Sequence, residues 1–122
     1  DVYCMHYNYK NFNNVKNVRS VSPDEFLYYI KNAEIVFCSS YHAVCFSILF
    51  KKKFFVALDA SVNNNNSRIN TLLSNLDLNE RIFEKNKEYN DEIDYRNTFI
   101  KLEKLKDDSF KFIEKTIMER NA

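Results

Sequence analysis

The chain has 122 residues, 45% of them apolar and 29% charged, a composition that suits one soluble globular domain and excludes a disordered segment or a complete two-domain enzyme. Its 18 basic and 17 acidic residues leave a net charge of +1, too small for a general field that would hold a polyanion or an anionic bilayer, so nucleic acid is not an expected partner. There is no glycine, which removes every dinucleotide fingerprint and glycine-rich phosphate loop, and the three cysteines, Cys4, Cys38 and Cys45, lack metal-ligand spacing and read as reduced thiols of a cytoplasmic protein.

In chain order, "DVYCMHYNY" alternates aromatic and polar residues and predicts a strand. An Asn-rich loop and a short strand near Val15 to Arg19 follow. "SPDEFLYYIKNA" predicts a helix: Ser22 caps, Pro23 takes the first helical position, and Asp24 and Glu25 put negative charge at the positive end of the dipole. Phe26, Leu27, Ile30 and Ala33 share one face, so this helix docks on something. "EIVFCS" then predicts a buried strand.

Past His42, "AVCFSILF" is apolar on all sides, and a helix here has to be covered on most of its surface. Its length is far short of a membrane span. "KKKFFVALD" predicts a basic turn, Lys51 to Lys53, and a second buried strand from Phe54 to Leu58. "ASVNNNN" reads as a polar, mobile loop including Asn63 to Asn66. Ser67 is expected to cap "SRINTLLSNL", whose Ile69, Leu72, Leu73 and Leu76 form one apolar face. A long amphipathic helix from about Asp94 to Arg120 closes the chain, with a stripe through Phe99, Leu102, Leu105, Phe112 and Ile113.

Helix and strand alternate with short connections, which implies parallel strands joined by right-handed crossovers. The expected fold class is α/β, a Rossmann-like three-layer sandwich with a mainly parallel sheet of about four or five strands. In such a sheet, ligands bind where strand ends feed helix N-termini. Ser39, Ser40 and His42 stand in such a loop, where first-turn N–H groups accept phosphate or carboxylate without glycine. The same residues also fit a plainer role, with Ser39 or Ser40 as an N-cap and His42 as an exposed first-turn residue. His6, in the first strand, reads as structural.

The stretch "SPDEFLYYIKNAEIVFCSSYHAVCFSILFKKKFFVAL" resembles the polysaccharide pyruvyl transferase family, whose members carry patterns like S-P-E-E-F-L, I-K-N-A-D, S-F-H-G-T-V-F-S and F-x-K-P-F. "NSRINTLLSNLDLNERIF" is similar to that family's S-R-I-x-S-L-L-x-x-L-G-L-x-x-R segment, and "IDYRNTFIKLEKLKDDSFKFI" to its closing helix. The resemblance spans about Ser22 to Ile113.

The resemblance implies the C-terminal, donor-side half of a two-domain GT-B-like enzyme. It further implies transfer of pyruvate from phosphoenolpyruvate, as a cyclic ketal, to a sugar or lipid-linked glycan of a cell-surface polysaccharide. It makes His42 the catalytic residue and Ser39, Ser40, Tyr41, Ser67 and Arg68 the substrate-binding ones. No cofactor or metal is expected.

A start at Asp1, without methionine, leads to the expectation of a fragment lacking its N-terminal half and inactive alone, from a cytoplasmic enzyme working at the inner face of the membrane. Some relatives carry arginine where Ser40 stands, a commoner Phe where Tyr41 stands, and glycine at Ala43 and Asp77. A GT-B glycosyltransferase half that binds a nucleotide sugar, and a non-catalytic α/β interaction module, are the alternatives.

Overall fold

The computed structural model describes residues 1–6, 10–58, 63–89 and 92–121, with the backbone alone at 63–65. Strand β1 (Tyr3–Met5) pairs in parallel with β2 (Lys16–Val18), and β3 (Ile35–Cys38) pairs in parallel with β4 (Lys53–Val56). The expected parallel pairing of the two middle strands is therefore present. The single sheet of four or five strands is not: the described strands form two separate two-stranded sheets. One parallel bridge, Val56 with Ile82, extends the second sheet on the far side of β4, and the Phe83 amide donates to the Val56 carbonyl at 2.7 Å. The part of the first strand expected at Tyr7–Tyr9 lies outside the described residues.

Helix α1 (Pro23–Asn32) starts as its sequence dictates. The Ser22 hydroxyl oxygen accepts the Glu25 amide, proline stands in the first turn, and Asp24 and Glu25 face the positive end of the dipole. Ile30 is buried while Phe26 and Leu27 are half-buried, so the predicted apolar face is the docked one. Helix α2 (Tyr41–Leu49) is the centre of the molecule: Ala43, Val44, Ser47 and Ile48 are buried, and α1, α3, β3 and β4 all pack on it. Its all-round apolar sequence required this cover.

Strand β4 is buried from Phe54 to Val56. Strand β3 departs from the expected buried strand, since Ile35 and Phe37 are 41% and 70% exposed. Its side chains alternate faces, and on the second face Phe37 stacks on Phe55 at 5.3 Å and meets Phe83 edge-on at 6.5 Å while the rest of its ring stays in solvent.

The Asn-rich segment also departs from expectation. Helix α3 spans Asn63–Asn75, so Asn63 to Asn66 form its first turn rather than a loop, and Ser67 lies inside the helix rather than capping it. An apolar side chain is not needed to continue a helix outward once Ile69, Leu73 and Leu76 anchor its inner face in the core.

The helix ends in a Schellman motif. Leu78 N–H reaches Leu73 O at 2.8 Å, Asp77 N–H reaches Ser74 O at 3.3 Å, and Asp77 is left-handed at φ 54°. Leu73 and Leu78 then meet in the core. A 3-10 turn (Asn79–Arg81) follows. It carries Arg81, fully buried, with its guanidinium 5.0 Å over the Phe55 ring and 3.7 Å from the Glu80 carboxylate.

Helix α4 (Tyr95–Asn121) begins where Asp94 Oδ1 accepts the Asn97 amide. Its first turns hold the core through Tyr95, Leu102 and Leu105, which pack against the buried cluster. The predicted stripe continues in sequence through Phe112 and Ile113 without a described partner, and these are 71% and 50% exposed.

Candidate functional site

The loop between β3 and α2 positions the predicted residues. Ser40 is the N-cap of α2, at φ −100° and ψ 142°, and its Oγ accepts the Ala43 amide at 3.1 Å. A serine at this position spends its side chain on the helix end, whereas an arginine would reach past it. Ser39 and Ser40 are exposed, and His42, second in the helix, is exposed as well. The amides of Tyr41 and His42, like those of any first turn, lack an intrahelical acceptor. Ala43 is 6% exposed against the core, so its methyl group packs inward.

Ser40 and His42 open onto a cleft of about 490 Å³, lined also by Met5, His6, Ser20, Val21, Ser22, Pro23, Phe26 and Phe46. That volume lies in the range of small-molecule sites. Two N-caps, Ser22 of α1 and Ser40 of α2, face it together, so the positive ends of two helix dipoles meet there. Among the lining residues only His6 and His42 have side chains that can carry charge, and both would be positive. A small anion is the ligand class suited to these walls.

Ser67 and Arg68 are elsewhere. They line a second cleft of about 290 Å³ with Tyr41, Thr71, Leu72 and Asn75. The Arg68 guanidinium stacks 5.0 Å over the Tyr41 ring, and the Tyr41 and His42 rings meet edge-on at 6.0 Å. Tyr41 thus lines the smaller cleft and touches His42, which lines the larger. The Cys45 thiol, accepting a hydrogen bond from the Tyr41 hydroxyl, raises the phenol above its ordinary value, and Arg68 opposes that only in part. Burial raises Cys45 in turn, against the Tyr41 hydrogen bond and Arg68. Neither group is a base or nucleophile at neutral pH.

The structure therefore divides the predicted site residues. Ser40 and His42 share the larger cleft, and Tyr41, Ser67 and Arg68 share the smaller. His6, which the sequence presents as an ordinary strand residue, joins His42. The only signal for it in the sequence is that the chain has two histidines. Arg81, the arginine in the middle of "NERIF", is a core residue whose guanidinium stacks on Phe55 of β4, not a surface cation.

Fold and cleft define an α/β protein with a cleft at two converging helix N-termini. Residues 1–60 match the model of the polysaccharide pyruvyl transferase family, which supports the resemblance. The match contains every residue lining the His42 cleft and ends before Ser67 and Arg68. No curated protein and no solved structure matches the chain. Among the described residues, no helix is long and apolar enough to cross a membrane.

Proposed function

We propose that this chain is the donor-side, Rossmann-like half of a GT-B-like pyruvyl transferase, which moves pyruvate from phosphoenolpyruvate to a sugar of a cell-surface polysaccharide. The observation that carries this reading is the coincidence of the family match with the whole of the His42 cleft. The phosphate and carboxylate of the donor are the anions that two helix N-termini and two imidazoles suit.

In this reading His42 is the general acid. It gives a proton to the methylene carbon of the enol, which becomes a methyl group, and the adjacent carbon becomes an oxocarbenium centre. One acceptor hydroxyl adds there and loses its proton. Phosphate departs with the electron pair of its C–O bond, and the second hydroxyl closes the ketal and loses its proton. One released proton restores His42 and the other leaves with phosphate. The amides of Tyr41 and His42, with Ser39 and Ser40 beside them, stabilise the anionic groups of the donor. The acceptor, free or lipid-linked, is held by a second half of the enzyme, in the cytoplasm at the inner face of the membrane.

Thermal shift with phosphoenolpyruvate against UDP-sugars tests the assignment. Stabilisation by phosphoenolpyruvate alone is expected. Stabilisation by the nucleotide sugar alone would make the chain a glycosyltransferase half, and a flat response to both would make it an interaction module.

A further inference from the structure

His42 and Phe46 stand four residues apart on α2, so their side chains lie one above the other on the same helix face, and both line the larger cleft. The same step recurs on α1. Ser22 caps that helix, Phe26 follows four residues on, and both line the cleft as well. The Phe26 and Phe46 rings meet edge-on at 6.2 Å, and Phe46 also stacks on Phe50 at 6.2 Å. Its ring is held by two neighbours.

The cleft is therefore divided along its two helices. The hydroxyls of Ser22 and Ser40 stand at the caps, and one turn farther along each helix, about 5.4 Å, the wall is aromatic. His42 comes between Ser40 and Phe46. Phosphoenolpyruvate is divided in the same way. Its carboxylate and phosphate are charged and lose free energy against an aromatic wall that offers them no hydrogen bond, whereas its methylene carbon is apolar and gains from that contact.

From this match we propose that Phe46, backed by Phe26, is the wall that receives the methylene end of the donor, holds that carbon beside His42 and selects for an unsubstituted methylene. The proposal rests on the reading of the cleft as the phosphoenolpyruvate site with His42 as the acid. In that reading the carbon that takes the proton becomes a methyl group, so it needs an apolar surface both before and after the transfer. Phe46 makes and breaks no bond; it sets where the carbon lies and how large its substituents are.

The experiment titrates this chain calorimetrically with phosphoenolpyruvate and with the homologue that carries a methyl group on the methylene carbon. The two ligands bring the same anionic groups and differ only at the end that Phe46 receives. One carbon in an apolar pocket is worth about ten-fold or more, so the unsubstituted chain should bind phosphoenolpyruvate more tightly by that factor. In Phe46→Ala the preference should shrink to less than about three-fold, because the added methyl group takes the space the ring leaves.

A second measurement needs no variant that removes the ring. In the complex with the unsubstituted chain, the methylene protons of phosphoenolpyruvate should show a nuclear Overhauser effect to the Phe46 ring, identified among the 11 phenylalanines with Phe46→Leu. Phosphoenolpyruvate that binds with no such effect, or no more tightly than its homologue, would overturn the role of Phe46 and leave the cleft reading intact. A preference that persists in Phe46→Ala would overturn it too. Binding of neither ligand would overturn both readings.

Discussion

The guanidinium of Arg68 lies 5.0 Å over the ring of Tyr41, and that ring meets the imidazole of His42 edge-on at 6.0 Å. Arg68 is thus one side chain removed from the His42 cleft, with its charge spread over an aromatic face. Such a pair is worth about 0.5–1 kcal/mol at an exposed site. Arg68→Ala should lower stability by about that amount and change phosphoenolpyruvate affinity less than about two-fold, while His42→Ala weakens it about ten-fold. Calorimetric titration of both variants checks this. Loss of binding in Arg68→Ala would mean that the arginine clamps the donor directly and the two clefts act as one.

Asp77 stands where the family pattern carries glycine, and the structure gives the reason for that glycine. The position is left-handed, φ 54°, in the motif that ends α3. A side chain there costs roughly 1–2 kcal/mol, somewhat less for aspartate, and Asp77 gains an ion pair with Lys101. Asp77→Gly and Asp77→Ala both lose the ion pair but differ at Cβ. The glycine variant should be more stable than the alanine variant by about 1 kcal/mol in urea denaturation. Equal midpoints would show that the helix end relaxes out of the left-handed conformation.

Local rules made most of the elements legible. Ser22, Pro23, Asp24 and Glu25 encode the start of α1, and Ile69, Leu73 and Leu76 encode the inner face of α3. What the sequence hid depends on distant partners. The exposure of Phe37 follows from its place on edge strand β3, beyond the Arg81 and Tyr89 cover of its neighbour Phe55, and the exposure of Phe112 from a helix that runs past its core. A residue's own pattern carries neither fact. The start of α3 was hidden for another reason: asparagine repeats look like loop, and the helix they extend is stabilised farther along.

The site was legible in the same uneven way. His42 and Ser40 follow from strand-loop-helix order. The division between His42 and Arg68 depends on where Tyr41 packs, and the presence of His6 in the His42 cleft depends on where the fold places the end of β1. Thirty-six positions separate the two histidines in sequence, and only the fold joins them.

Burial pushes the Cys38 thiol from its ordinary 9.0 up to about 12, with its Sγ 3.7 Å from the Phe55 carbonyl. Below about pH 9 folded and unfolded chains both hold the proton. Between 9 and about 12 the unfolded chain releases it and the folded chain keeps it, so stability falls as pH rises through that window. Burial raises Tyr95 as well, against the pull of Arg81, and adds to the fall. Urea midpoints from neutral pH to about 10 should decline less steeply in Cys38→Ser than in the unsubstituted chain. Iodoacetamide should modify Cys38 only on unfolding. An unchanged slope in the serine variant would place the titrating group elsewhere.

His42 carries the last prediction. A general acid contributes roughly 10²–10⁴-fold to a rate, so in the enzyme assayed with its acceptor, His42→Ala should lower kcat by about that factor. The fold should survive, because His42 is an exposed first-turn residue and the helix start depends on the Oγ of Ser40. His42→Asn separates the two things an imidazole can do. The amide keeps a hydrogen-bond donor near the donor molecule but has no proton to give to carbon. If His42 is the acid, His42→Asn should match the alanine variant in kcat while keeping a more nearly normal KM for phosphoenolpyruvate. Near-normal kcat in the asparagine variant would make His42 a donor-positioning residue, and near-normal kcat in the alanine variant as well would leave it as an ordinary residue of the first helical turn.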